Sequence, residues 1–284
     1  MVQAIAKLTV SAILLAIIAA ETSAGISCHY SSFSDQPEIV TQAIERCGER
    51  KRTTCKDKKF IAAGIVPHHF LAASLIIEYF QVLKENIDPQ NIVIIGPDHY
   101  HQGQRDISLT DLQWKTPFGY LEVNQHIAKE MRDKIGSRNF DHEAFFNEHS
   151  IGNIVPFIKY FFPNAKIIPI ILKAGTSRVL LEKLIRALEG FVDDRTHIIL
   201  SMDFSHGKSC EEANKIDVTA LQAIKNGQSK GIWSLDVDSR AGLYVLLKLV
   251  QGKDVLVMKH TNAGEITGKN LTNCTSYASI YFYN

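Results

Sequence analysis

Three apolar runs in this chain end in groups that bind metals or move protons. "GIVPHH" ends in His68 and His69, "IIGPDHYH" in Asp98, His99 and His101, and "LSMDFSHG" in Asp203, Ser205 and His206. With only 11 histidines in 284 residues, two within three positions at the end of an apolar run stand out. Neutral imidazoles and a carboxylate suit a first-row transition metal, and two histidines with one carboxylate keep coordination positions open for substrate or oxygen. Adjacent residues of an extended chain point to opposite faces. His69 is therefore expected to turn from the site; it and His101 are read as loop or hydrogen-bonded structural histidines, while His68, His99 and His206 face a common site. "EHS" at Glu148–Ser150 is either a further site element or a helix start with His149 capping or solvated. Asp203, Ser205 and His206 also supply the residue types of a hydrolytic triad, but a triad is assembled in space from separate segments. The chain has no GxSxG elbow, and neither a P-loop nor a GxGxxG stretch.

For these groups to meet, the runs that carry them must be neighbours. The segments 60–67, 91–97, 166–172 and 195–203 are almost continuously apolar, as interior parallel strands covered on both faces should be. Between them lies helical spacing, clearest in Leu71, Leu75, Ile76, Phe80 and Leu83. Further helices are expected at 124–135, at 148–162 with a break or kink at Pro156, at 177–191 with Ser177 as N-cap, at 213–227 closing on Gly227, and at 239–250. "DVLVMKH" and "TSYASIYFY" read as closing strands. The alternation predicts an α/β fold: a single domain with a central, mainly parallel sheet flanked by helices. Ligands of open α/β sheets bind outside the carboxyl ends of the strands. If the strands are parallel neighbours, His68, His99, Asp203 and His206 converge there.

The length suits one large α/β domain, and 45% hydrophobic residues suffice for a sizeable core. A formal net charge of +1 gives no basis for bulk attraction to nucleic acid or acidic membranes. Residues 1–24 read as a signal peptide: Lys7 precedes the apolar run 8–20, and Thr22 and Ala24 fit the small-residue positions before a cleavage site. The run is shorter than the roughly 20 apolar residues of a membrane span; the alternative is an uncleaved membrane anchor. The expectation is a secreted or periplasmic domain at 25–284. The five cysteines, Cys28, Cys47, Cys55, Cys210 and Cys274, form no CxxC pair. In an exported chain the first three are near enough in sequence for a local disulfide. Asn270 ("NLT") and Asn273 ("NCT") match the glycosylation acceptor pattern.

"VPHHF", "IIGPDHY", "WKTPFGYLEV", "NEHSI", "IIPIIL", "LSMDFSHG" and "KHTNAGEITG…SYASIYF" follow one another in the order seen in the Memo-like family, also called the AmmeMemoRadiSam system protein B family. The chain resembles that family from about His29 to its end. The family is similar in fold to the class III non-haem iron extradiol dioxygenases of LigB type. The resemblance implies metal ligands at His68, at His99 and at a third position that is often Cys. Aligning the helix that follows on "LYVLL" puts Asp238 there, with Asp236 as the neighbouring choice. It also matches His206, with Asp203 beside it, to the histidine of the "DFxH" motif, and His149 to that of "EHS".

The sequence departs from the family pattern in four ways. Asp238 in place of Cys turns a His₂Cys site into a His₂-carboxylate site, closer to mononuclear iron. Gly152 and Val155 stand where the family often has a Glu and a later His, which leaves the acid–base network around His149 incomplete. Phe70 and its neighbours replace the Gly of the usual "PHAGY". An N-terminal signal is atypical of a family associated with the cytoplasm. The resulting expectation is one divalent transition metal, iron(II) or else copper, held by His68, His99 and Asp238, with His206, Asp203 and His149 as acid–base groups. The reaction would be redox or oxygen chemistry on a small molecule. A competing class is a non-catalytic protein that keeps the cleft for a peptide or protein partner, and a third is a hydrolase acting through Asp203, Ser205 and His206.

Overall fold

The four apolar runs become four adjacent parallel strands. The computed structural model describes residues 29–31, 37–48 and 60–284. The signal peptide expected at 1–24, and the local disulfide expected among Cys28, Cys47 and Cys55, lie outside the described residues and side chains. The described elements are β1 (His29–Ser31), α1 (Pro37–Gly48), β2 (Ile61–Val66), α2 (Ala73–Asn86), β3 (Asn91–Pro97), β4 (Ile107–Leu109), β5 (Gln113–Thr116), β6 (Gly119–Leu121) and α3 (Gln125–Lys134). There follow α4 (His149–Gly152), α5 (Val155–Phe161), β7 (Lys166–Leu172), α6 (Arg178–Glu189), β8 (Thr196–Ser201), α7 (Cys210–Lys225), α8 (Arg240–Leu249), β9 (Asp254–Asn262), α9 (Ala263–Thr267) and β10 (Ser276–Tyr283).

The main sheet has the order β4-β7-β3-β8-β2-β10-β9. Its four central strands, β7, β3, β8 and β2, run parallel. β4 on one side, and β10 and β9 on the other, pair antiparallel. The interior strands alternate between two buried faces. Val93, Ile95, Ile198 and Leu200 pack with Leu184 and Leu188 of α6 and Leu243 and Leu246 of α8. Ile92, Ile94 and Ile199 face Ile76 and Phe80 of α2 and Phe157 of α5. Burial on both faces explains the unbroken apolar runs. Each fully buried Ile of β3 contributes roughly 1.5–3 kcal/mol relative to an exposed one.

A small three-stranded sheet, β1-β5-β6, sits apart from the main one. Its strands are three or four residues long, too short to show a periodicity in sequence. The helix expected over 148–162 is two helices. Pro156 lies in the first turn of α5, where its missing N–H is no loss, so the break falls at Asn153–Ile154. Ser177 caps α6 by accepting from Leu180 N. α7 starts at Cys210, earlier than the expected Ala213, on the Ser209 cap, and Gly227 follows its end at φ +60°.

Three features of the fold position the site. The order β3-β8-β2 brings the ends carrying His99, Asp203 and His68 side by side. α8 packs on β3 and β8 and carries Asp238 just ahead of its first turn. Gly96 lets α4 close on β3: a Cβ there would lie 2.5 Å from Ser150 Oγ and 2.9 Å from Ser150 Cβ. A disulfide between Cys210 and Cys274, Cα atoms 5.2 Å apart, ties the start of α7 to the loop before β10. Asn270 and Asn273 are exposed in that loop. Among the described residues no helix is long and apolar enough to cross a membrane.

Candidate metal centre

His68 leaves β2 into the sheet's carboxyl edge and is fully buried. Asn153 Nδ2 donates to its carbonyl at 2.8 Å, and its own N–H donates to Asp203 Oδ1 at 3.2 Å. Its Nδ1 lies 3.1 Å from Ser201 Oγ, and that hydroxyl donates to the Ser150 carbonyl at 2.5 Å. Ser201 has spent its proton, so His68 Nδ1–H is the donor and the lone pair sits on Nε2. That nitrogen lies 3.2 Å from Asp238 Oδ2 and 3.7 Å from Asp203 Oδ2.

His99 repeats the arrangement. Its backbone N–H donates to Glu148 Oε2, and its Nδ1 lies 2.8 Å from Glu148 Oε1. The His99 contact holds the Glu148 carboxyl below the usual range against the opposing pull of burial. An ionised carboxylate only accepts, so Nδ1 is protonated and Nε2 is left to face Asp238 Oδ2 at 3.7 Å. Asp238 is braced in turn: Asp203 N donates to both its oxygens at 3.2 and 3.1 Å, and Asp238 N donates to the Asp203 carbonyl.

His149 completes the cluster as the first residue of α4. The expected capping role belongs to Glu148, whose side chain accepts from Ser150 N. The His149 ring stacks on His99 with centroids 4.1 Å apart, and its Nδ1 lies 3.2 Å from the Tyr100 hydroxyl. His206 sits at the mouth, its side chain nearly half exposed and its Nε2 3.9 Å from Asp203 Oδ2. Asp238 faces the two imidazoles; Asp236, the alternative, is in neither cluster of converging donors among the described residues.

Electrostatics makes this a place for positive charge. Burial lowers the affinity of His99 for a proton, but Asp238 and Glu148 outweigh it and push the ring up to about 10. Burial likewise opposes protonation of His68, and Asp203 and Asp238 raise it nonetheless. Asp238 is pulled down to about 2, burial notwithstanding, by His68 and His99. Burial raises Asp203. His149 goes the other way, to about 4, from burial and from repulsion by its two neighbours. Two carboxylates, with imidazole nitrogens aimed between them, need protons or a cation at their centre. The distal nitrogen of each imidazole is already held, by Ser201 or Glu148, as metal-bound histidines require. Two nitrogens and one carboxylate oxygen are a donor set that fits divalent iron or copper.

The remaining candidates fall elsewhere. His69 turns away and pairs its Nδ1 with the Tyr277 hydroxyl at 2.6 Å. His101 is exposed with φ +53°, its N–H donating to Asp98 Oδ1. Asp98, to which no role falls from sequence, thus closes the turn after β3. The hydrolase grouping is not assembled: Ser205 is buried and donates to Asp217 Oδ1 at 2.6 Å, away from His206. Asp217 in turn meets His260 Nε2 at 2.7 Å. Glu148 enters the sequence reading only as part of the "EHS" element, and Ser201 and Asn153 do not enter it as ligand supports. Ser201 is the one with a local signal, a polar residue inside the apolar run "IILSM".

Comparison with known proteins identifies the family of the chain. The model of the Memo-like protein family matches residues 25–281. A MEMO1 family protein of Caldivirga maquilingensis is 30% identical over 243 residues, covering 80% of this chain and 85% of its own. One from Pyrobaculum aerophilum is 27% identical over 234 residues, with 78% and 83% covered. Another, from Methanopyrus kandleri, is 26% identical over 267 residues, with 87% and 94% covered. With nearly all of the α/β domain matched, and its sheet edge carrying the converging histidines and aspartates, the chain belongs to the Memo-like family.

Proposed function

We propose that this protein holds one divalent transition metal, iron(II) with copper as the other candidate, on His68, His99 and Asp238. We propose too that it performs redox or oxygen chemistry there on a small molecule. The observation that carries the reading is the aim of the two imidazoles: both Nε2 atoms face one oxygen, Asp238 Oδ2, at 3.2 and 3.7 Å, while both Nδ1 atoms are held from behind. When bound, such a metal supplies Lewis-acid and one-electron chemistry.

The chain supplies the rest. Asp203 braces Asp238 through its backbone N–H and faces His206 with Oδ2, so His206 is the group placed to give or take a proton at Nε2 at the mouth of the cleft. Asn153 and Glu148 keep the two ligand segments in place. Export to an oxidising compartment belongs to the same proposal: the N-terminal pattern and the Cys210–Cys274 disulfide both support it.

Metal analysis of the purified protein, anaerobically loaded with iron(II), tests this. The expected result is about one metal per chain, lost in His68→Ala and in His99→Ala. A parent that takes up none overturns the reading and leaves the cleft to a binding role. Extradiol cleavage of catechols by the loaded protein tests the narrower enzymatic claim.

A further inference from the structure

Three imidazoles meet in this cleft. One ring nitrogen each from His68, His99 and His149 lies within 4.8 Å of the other two. The His99 and His149 rings are stacked at 28°, and His68 meets both edge-on, at centroid distances of 5.0 and 5.1 Å. We infer that His149 is a further metal ligand, so that the centre is built of three histidines and one carboxylate. This rests on the metal reading above and extends it.

The reach is right. A first-row ion holds imidazole nitrogens at about 2.0–2.1 Å, so two nitrogens on one ion are separated by roughly 3–4 Å. The observed set needs only a small inward turn of the rings to meet that. The rigidity is right as well. Glu148 binds the backbone and ring of His99 and also the N–H of Ser150, so a single buried carboxylate locks the segment bearing His149 against the segment bearing His99. Gly96 lets the two segments approach this closely. The Tyr100 hydroxyl at His149 Nδ1 takes the place that Glu148 and Ser201 take behind the other two rings. A metal on Nε2 requires the tautomer in which His149 Nδ1–H donates to the Tyr100 hydroxyl.

Solvation and capping are the competing explanations for a histidine at a helix start; His149 is not the cap, and its side chain is 26% exposed rather than freely solvated. The cap is Glu148, and the ring is packed between His99, His68 and Tyr100. Three nitrogens and one carboxylate oxygen suit tetragonal copper(II) as well as iron(II). They leave fewer open positions than a two-histidine site, which favours a substrate that binds the metal through few atoms.

The experiment is pulsed electron paramagnetic resonance of the full protein loaded with one equivalent of copper(II), in which coordinated imidazoles are counted from their remote nitrogens. The expected result is three imidazoles in the parent and two in His149→Ala and His149→Gln, each variant still holding one copper. Thermal melting of both variants establishes that they are folded, and the parent count stands without any variant. Two imidazoles in the parent, unchanged in the variants, would remove His149 from the metal and leave the two-histidine reading intact. Failure of the parent to bind copper or iron stoichiometrically would overturn both.

Discussion

Glu148 grips His99 at two points: Oε2 accepts its backbone N–H and Oε1 accepts from Nδ1, both at 2.8 Å. One buried side chain thereby sets the rotamer, the tautomer and the backbone position of a ligand. Glu148→Gln replaces one accepting oxygen with a donor and breaks one of the two contacts. The metal dissociation constant is expected to rise about 10–100-fold, the usual cost of losing such support, with the circular dichroism spectrum unchanged. Metal titration of parent and variant gives the answer; equal affinities would mean that His99 is oriented by something else.

Asp238 and Asp236 are two residues apart, and only Asp238 meets His68 and His99. Asp238→Asn should abolish stoichiometric iron uptake, whereas Asp236→Asn should leave it intact. Asp238→Cys should keep a site but shift its preference from iron toward copper(I) or zinc, since thiolate is the softer ligand. Competition between metals, measured on the three variants, distinguishes these outcomes.

Gly96→Ala forces a methyl group onto Ser150, which donates to the Pro97 carbonyl at 3.0 Å. Overpacking of this kind costs about 1–3 kcal/mol, here with α4 pushed off β3. Denaturant unfolding should show a loss in that range, together with weaker metal binding. A variant of parental stability would mean that the interface yields freely.

His197 is buried in β8, with Nδ1 donating to the Ile61 carbonyl and Nε2 accepting from the Tyr79 hydroxyl. Burial pulls its pKa down to about 4 from 6.5. The unfolded chain therefore binds the extra proton between those values. The stability this group contributes is complete above pH 6.5 and falls away toward pH 4, by about 3 kcal/mol at 1.36 kcal/mol per unit. Melting temperatures across this window should fall less steeply in His197→Gln than in the parent. Parallel curves would exclude His197 as the source.

Cys210 and Cys274 close a loop with a sequence separation of 64. Chain-entropy arguments assign such a link about 4 kcal/mol. Replacing both cysteines with Ser should lower the unfolding free energy by that order. Adding reductant should do the same to the parent and nothing to the variant. Identical midpoints with and without reductant in the parent would show that the bond is absent in solution.

The sequence alone determined the parallel strands, most of the helices, and the candidacy of His68 and His99. It could do so because burial on both faces writes an unbroken apolar run, helical burial writes a 3.6-residue period, and both are local. It also marked the sheet's carboxyl edge, because glycine, proline and polar groups terminate each run there. Only the tertiary structure decided the rest. The order β3-β8-β2 makes His99, Asp203 and His68 neighbours, and no local pattern encodes which strand lies beside which. α8 delivers Asp238 from 35 residues beyond Asp203, and Glu148 reaches His99 across 49. The pairing of Cys210 with Cys274 and the withdrawal of Ser205 toward Asp217 depend on where α7 docks. His206 ends its strand just as His68 and His99 do, yet it stays at the mouth, because packing sets where a side chain after a strand points.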